Sequence, residues 1–161
     1  MTIYKAPDHT PFNMGNRKEP MVFLAGSIEM GEAEHWQLRV GRTLDEFGCT
    51  VLDPRRDDWD SSWEQSIDNE RFAEQVRWEL LGLEKSKAVL LHFDPSTKSP
   101  ITLLELGLLS QSKPQATFVS CPLGFWRRGN VEILCDRYKI PLSDNIDSII
   151  GLLMYFVSDE Q

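Results

Sequence analysis

Residues 88–107, AVLLHFDPSTKSPITLLELG, hold the pattern that decides the fold. Ala88–Phe93 is a nearly continuous apolar run of strand length, which is typical of a strand buried on both faces. A loop with two prolines follows over residues 94–100, and the pattern then predicts a helix over Thr102–Ser110. A buried strand followed by a loop and a helix is one half of a βαβ unit.

The same alternation continues on both sides of this stretch. Apolar strands that alternate with helices predict a mostly parallel sheet covered on both faces, which gives a three-layer α/β sandwich of about five strands. Residues 1–20 contain three prolines and are predicted to be an irregular N-terminal arm, with residues 21–161 as a single domain. The further predicted elements are the strands Met21–Ala25, Cys49–Leu52 and Ala116–Cys121, and the helices Glu34–Phe47, Asn69–Leu83, Val131–Tyr138 and Ile146–Val157.

Composition excludes several classes of protein. The chain has 161 residues, of which 41% are hydrophobic and 26% charged, so it suits one globular domain and not a disordered chain. Its net charge of -8 would repel phosphate backbones, so a nucleic-acid polymer is not expected as a partner. No apolar run approaches the ~20 residues of a membrane span. No membrane partner is therefore expected.

Cysteine and histidine placement points to a cytoplasmic protein without a metal. The three cysteines show no paired spacing, so neither a disulfide framework nor a zinc ribbon is expected, and a reducing compartment fits better. The N-terminus lacks the apolar core of a signal peptide. No histidine lies near another, so we expect no metal site, and we expect no cofactor. The residues concerned are Cys49, Cys121 and Cys135, and His9, His35 and His92.

The loops that follow the strands are the places to search for a site, because ligands of such sheets bind outside the carboxyl ends of the strands. The first of these loops reads Gly26-Ser27-Ile28-Glu29-Met30-Gly31, which matches neither a Walker loop nor a dinucleotide fingerprint. Gly26 and Ser27 either form a plain turn or let the backbone approach a ligand closely. Glu29 argues against a phosphate in this loop.

The second loop, residues 53–60, reads DPRRDDWD. Such alternating charges usually form a solvated surface. The alternative is that Asp57 and Asp58 bind the N–H groups of a heterocyclic base while the indole of Trp59 stacks on it. The residues leave both interpretations open.

Two glutamates are candidates for catalysis. Glu105 is isolated in an apolar stretch, and glutamate is rarely buried unless it is paired or functional. Glu79 lies on the helix that precedes the third strand. Each could simply face solvent on its helix. If both reach one cleft, they form a two-carboxylate site of the kind that performs glycosyl chemistry.

The ordered set of these features resembles the nucleoside 2-deoxyribosyltransferase superfamily, in particular its short transferase-like members. The resemblance covers roughly Val22 to Asn130 and is strongest in residues 72–107, which include QVRWE at 75–79 and SPITLLELG at 99–107. It implies a flavodoxin-like fold, a homo-oligomer of two or more subunits with shared active sites, and nucleosides and free nucleobases as ligands.

The resemblance also implies roles for individual residues. Glu105 falls on the nucleophilic glutamate, and Glu79 falls where the family usually has an aspartate near the sugar. Ser99 falls where transferases often place an aspartate that contacts the base. Asn130 resembles the residue that a neighbouring subunit donates to hold the sugar 5′-hydroxyl. Phe23 falls where many members carry a tyrosine, and it lacks the hydroxyl that would support the nucleophile.

Transfer of 2-deoxyribose between nucleobases, through a covalent deoxyribosyl intermediate on Glu105, is the resulting prediction. With a serine at 99, handling of the base's proton is assigned to Asp57 or Asp58. Ser99 also resembles the serine that binds phosphate in 2′-deoxynucleoside 5′-phosphate N-hydrolases, whereas Glu29 opposes a phosphate. An N-glycosidase of nucleosides or nucleotides and a non-catalytic nucleotide-binding module are the alternatives.

Overall fold

A computed structural model describes residues 2–27 and 35–159 of the chain. In these residues six strands form one all-parallel sheet, in the order β1-β3-β2-β4-β5-β6. The strands are β1 (Ile3–Lys5), β2 (Met21–Gly26), β3 (Thr50–Asp53), β4 (Ala88–His92), β5 (Thr117–Ser120) and β6 (Leu142–Ser143). The helices are α1 (Thr10–Asn13), α2 (Trp36–Glu46), α3 (Glu70–Lys85), α4 (Pro100–Ser112), α5 (Arg128–Tyr138) and α6 (Ile146–Ser158).

Helices cover both faces of the sheet, which confirms the three-layer α/β sandwich. Side chains alternate between the two faces along each strand. On β2, Val22 and Leu24 pack in one apolar cluster with α2 and α6. Phe23 and Ala25 pack in a second cluster with α3, α4 and α5. The two clusters form the core on either side of the sheet.

The sheet has one strand more than the predicted number of about five, and all of its strands are parallel. The irregular arm predicted for residues 1–20 contains β1, which pairs with β3, and the short helix α1. β1 has three residues and β6 has two, and both lie at the edges of the sheet. Such short edge strands carry no apolar run that a sequence pattern could reveal.

The strand order places the crevice of the sheet. Without β1, the order β3-β2-β4-β5-β6 corresponds to the flavodoxin-like order 2-1-3-4-5, in which the direction of winding reverses between β2 and β4. Gly26 at the end of β2 lies in register with His92 at the end of β4. The loops that follow these two strands therefore begin side by side at the switch point, where this fold binds ligands.

Gly26 is required by this close approach. Its φ of +152° lies in a region that residues with a side chain rarely adopt. A Cβ at this position would also collide with the carbonyl oxygen of His92 and with the ring of Trp36. The glycine thus lets β2 end against β4 and α2 without a gap.

Gly82 sets the distance between α3 and the sheet. A Cβ built on Gly82 would lie 2.5 Å from two ring carbons of Phe23 on β2. The adjacent turn of α3 is anchored by Trp78, which is fully buried and donates a hydrogen bond of 2.8 Å from Nε1 to the carbonyl oxygen of Asp8. These contacts fix the depth at which α3 lies, and with it the position of Glu79.

The close packing of Gly82 can be tested by adding one methyl group. Gly82→Ala should lower the free energy of unfolding by about 1–3 kcal/mol, because the methyl group overpacks the Phe23 contact. Gly151→Ala on α6 is the matched control, since its added Cβ meets nothing within 4 Å and should stabilise by up to about 1 kcal/mol. Denaturant unfolding measures both variants, and equal effects would contradict the packing argument.

Candidate active site

Glu105 lies on the buried face of α4. The helix begins with Pro100, a residue favoured in the first turn, and buries Thr102, Glu105, Leu106 and Leu109 at helical spacing. Glu105 therefore occupies a core-facing position in the second turn, just beyond the carboxyl end of β4. It is only 9% exposed. The isolation that the sequence showed reflects a carboxyl group held out of water.

Glu79 lies on α3, which packs on the same face of the sheet. The side chain of Asn69 caps the start of this helix by accepting a hydrogen bond of 3.0 Å from the backbone N–H of Phe72. Glu79 is partly buried, and its Oε1 accepts a hydrogen bond of 2.8 Å from Nε2 of Gln75. α3 and α4 both contact β2, so the two glutamates lie on helices of the same face of the sheet.

The two carboxyl groups interact electrostatically. Burial and, to a lesser extent, the negative charge of Glu79 together raise the pKa of Glu105 to about 8. Burial also raises the pKa of Glu79 to about 7, against the opposing effect of the Gln75 hydrogen bond. The pair therefore takes up and releases protons near neutral pH. Strongly perturbed carboxyls in a crevice are typical of catalytic groups.

Three hydroxyl groups meet at the switch point. Thr97 Oγ1 donates to Ser27 Oγ over 2.9 Å and lies 2.7 Å from Ser99 Oγ, and the hydroxyls of Ser27 and Ser99 are also hydrogen-bonded to each other. The backbone N–H of Asp94 donates to Ser27 Oγ over 2.9 Å. Ser99 has a φ of 47°, a left-handed conformation that is uncommon for a residue other than glycine. The fold thus brings Gly26, Ser27 and Ser99 together.

Asp57 and Asp58 lie in a different environment. The Asp57 side chain is 85% exposed and pairs with Lys5 over 2.9 Å. Asp58 pairs with Arg56 over 2.9 Å, and this hydrogen bond lowers the pKa of Asp58. Asp58 is thus suited to accepting hydrogen bonds and not to donating a proton. Trp59 is half-exposed, with its ring centroid 5.0 Å from that of Trp63.

Asn130 is exposed in the first turn of α5, and no other predicted site residue lies on that helix. The preceding Trp126 is tied to the chain's own fold, because its Nε1 donates to the carbonyl oxygen of Lys98 over 2.9 Å. This bond joins the loop after β5 to the loop that leads into α4. Glu29, whose negative charge argues against a bound phosphate, lies outside the described residues.

Several features of the crevice were missed from the sequence. Thr97 completes the hydroxyl cluster, and its place in the same loop two residues before Ser99 was the available signal. For Gln75 the sequence offered no signal, because a glutamine in a charged helix is usually on the surface. Phe23, where the resemblance to the family implies a tyrosine, is fully buried, with its ring centroid 5.9 Å from that of Trp78.

Two further properties concern the whole described part of the chain. Within residues 2–27 and 35–159, no group of three or more His, Cys, Asp and Glu side chains is arranged to hold a metal ion. Over the same residues, every helix is too short or too polar to cross a lipid bilayer.

The burial of Glu105 can be tested through stability. Because the folded-state pKa lies above the ordinary value of 4.5, the group lowers the free energy of unfolding progressively as pH rises from about 4.5 to about 8. Glu105→Gln should remove this loss. The difference in melting temperature between this variant and the wild type should therefore be at least about 3 °C more favourable to the variant at pH 8.5 than at pH 4. The matched control is Glu84→Gln, at an exposed position of α3. If the melting temperatures of Glu105→Gln and the wild type differ by the same amount at every pH, the burial of Glu105 is refuted.

Comparison with known families identifies the family of the chain. Residues 19–125 match the family model described as nucleoside 2-deoxyribosyltransferase like, which is more than half of the chain. The matched segment contains Glu79, Ser99 and Glu105 and ends before Asn130. A search of curated proteins finds no match. The chain belongs to the nucleoside 2-deoxyribosyltransferase-like family.

Proposed function

We propose that this protein transfers 2-deoxyribose from one nucleobase to another through a covalent intermediate on Glu105. The observation that carries the proposal is the burial of Glu105 beside the charge of Glu79, at the switch point of a chain that belongs to this family. Keeping a carboxylate in such a position lowers stability at neutral pH, and chemistry is the reason to retain it.

The proposed reaction has two steps. The ionised carboxylate of Glu105 attacks C1′ of a 2′-deoxynucleoside, the glycosidic C–N bond breaks, and a deoxyribosyl ester forms as the base departs. A second base then attacks C1′ from the face that the first base left, which retains the β-configuration and frees Glu105. The departing base takes up a proton from solvent and the incoming base releases one to solvent, so the exchange as a whole consumes none.

The other residues bind and orient the substrate. An ionised Glu79 accepts a hydrogen bond from the sugar and adds negative charge opposite the oxocarbenium-like transition state. Gly26, Ser27 and Ser99 line the switch point at the start of α4. Asp57 and Asp58 accept hydrogen bonds from the base while Trp59 stacks on it, which requires the loop after β3 to move its carboxylates from their ion pairs.

One observation favours a second candidate, hydrolysis of 2′-deoxynucleoside 5′-monophosphates. The hydroxyls of Ser27, Thr97 and Ser99 converge where α4 begins, and helix N-termini attract anions. In this reaction the same ester on Glu105 would form, and water would replace the second base.

A single incubation separates these functions. The protein is mixed with a 2′-deoxynucleoside and a different free base, and in parallel with the corresponding 5′-monophosphate, and the products are resolved by chromatography. A new nucleoside supports the transferase. Free sugar or sugar phosphate without a new nucleoside supports the hydrolase. Unchanged substrates in every mixture leave only a binding module.

We further propose that the active site is shared between subunits of a homo-oligomer. α4, which carries Glu105, exposes the apolar side chains of Ile101, Leu104 and Leu108 at helical spacing, with Leu104 70% exposed. A contiguous apolar stripe on the outside of a helix is typical of a protein–protein contact. A partner docked beside this helix could bring its own Asn130 to the sugar.

Glu105→Gln tests the nucleophile directly. The amide cannot attack C1′, so the rate of base exchange should fall by about a thousandfold or more. Glu84→Gln, which changes an exposed carboxylate on α3, should retain the full rate. The chromatographic exchange assay measures both. Near-normal exchange by a folded Glu105→Gln variant would remove Glu105 from the mechanism.

Complementation tests the shared site. Glu105→Gln and Asn130→Ala should each be inactive alone, because each removes one group from every site. Mixing them under conditions of subunit exchange should restore part of the activity, since some sites then hold both wild-type groups. A monomer by light scattering at working concentration, or absence of rescue after proven exchange, would rule out shared sites.

A further inference from the structure

Gln75 is a buried polar side chain that contacts the carboxyl pair. It lies on α3 one turn before Glu79 and is only 4% exposed. Its Nε2 donates a hydrogen bond of 2.8 Å to Oε1 of Glu79 and another of 2.9 Å to the carbonyl oxygen of Pro54. The amide therefore connects Glu79 to the loop that follows β3.

The chemistry of its partners fixes the orientation of this amide. An ionised carboxylate and a backbone carbonyl are both acceptors, so only the amino end of Gln75 can face them. Each of the two amino hydrogens then has one partner. The carboxamide oxygen Oε1 is left buried without a hydrogen bond.

That orphaned oxygen is informative about why Gln75 is present. Leaving a buried acceptor unsatisfied costs stability, and an apolar side chain of similar volume avoids that cost. Packing alone is therefore a poor reason for a glutamine at this position. The two hydrogen bonds that its amino group makes are the better reason, and one of them ends on Glu79.

We propose that Gln75 is a positioning residue of the active site, whose amide favours the ionised form of Glu79 and leaves this carboxylate turned as a hydrogen-bond acceptor toward the sugar. This inference rests on the proposed function and adds to it the residue that sets the charge state of Glu79. A hydrogen bond to a charged acceptor is stronger than one to a neutral acceptor, so the amide favours the carboxylate over the carboxylic acid.

The groups around Glu79 determine how strongly its ionised form is disfavoured, and the amide of Gln75 opposes that effect. From α4, the negative charge of Glu105 is coupled to that of Glu79 and favours a proton on one of the two groups. From the loop after β3, the contact is the uncharged carbonyl of Pro54, made through Gln75. Burial raises the pKa of Glu79, and the Gln75 hydrogen bond lowers it. Without the amide, ionisation of the pair would require a higher pH.

Gln37 provides a matched control. It lies on α2, is 1% exposed, accepts a hydrogen bond of 2.8 Å from Nε of Arg55, and leaves its own Nε2 buried without a partner. Gln75→Met and Gln37→Met thus each remove a buried carboxamide with one unsatisfied atom. Of these two glutamines, Gln75 is the one hydrogen-bonded to a member of the carboxyl pair. Gln75→Leu is the second test variant, since it also removes the donor and adds no charge.

Two measurements are made on the full chain. The first is the pH profile of kcat/KM for base exchange, whose rise reports ionisation of the free enzyme. The second is a titration of the glutamate side-chain carboxyl carbons by ¹³C NMR, without substrate, with the Glu79 resonance assigned from a Glu79→Gln variant. The NMR titration reports on Glu79 whether or not the protein is an enzyme.

In Gln75→Met, or in Gln75→Leu if the first variant fails to fold, the Glu79 titration and the rise in kcat/KM should move up by about one pH unit. On the acid side of the profile this is a loss of about tenfold in kcat/KM. Gln37→Met should leave both midpoints in place. An unmoved Glu79 titration in the Gln75 variants, or an equal move in Gln37→Met, overturns the proposal. If the titration midpoint of Glu79 shifts but the protein shows no exchange activity, the proposed function is contradicted and the role of Gln75 toward Glu79 is retained.

Discussion

A buried and a partly buried carboxyl group that interact on one face of the sheet are the feature on which the rest of this site depends. Burial disfavours the charge of each group, and the charge of Glu79 further disfavours that of Glu105, so both titrate far above the ordinary range of a glutamate. The arrangement lowers the stability of the fold at neutral pH. In the proposed mechanism, the carboxylate of Glu105 is poorly solvated, which favours its attack on C1′.

The packing around β2 makes this burial possible. Gly26 lets β2 end against β4 and opens the switch point, where the hydroxyls of Ser27 and Ser99 meet. Gly82 lets α3 approach Phe23, so that the helix carrying Glu79 lies close to the sheet. Positions without room for a side chain thus determine where the carboxyl and hydroxyl groups lie.

The fold and the carboxyl pair could be predicted from the sequence because their signals are local. Continuous apolar strands indicate a parallel sheet, and an acid isolated among leucines, as Glu105 is, indicates a buried acid. β1 and β6 were missed because two or three residues carry no periodicity. Gln75 was missed because its burial depends on the loop after β3, which is a tertiary contact. The ion pair of Asp57 with Lys5 is likewise a tertiary contact, whereas that of Asp58 is local, because Arg56 lies in the same loop.

The most direct test of the central claim is to trap the intermediate. A 2-fluoro-arabinosyl nucleoside slows both steps, because fluorine destabilises the oxocarbenium-like state, and the ester on the enzyme should then accumulate. Intact-mass analysis followed by peptide mapping should find one added fluoro-sugar per chain, attached to Glu105. A label on any other residue, or release of the base by an active enzyme with no label formed, would contradict the role assigned to Glu105.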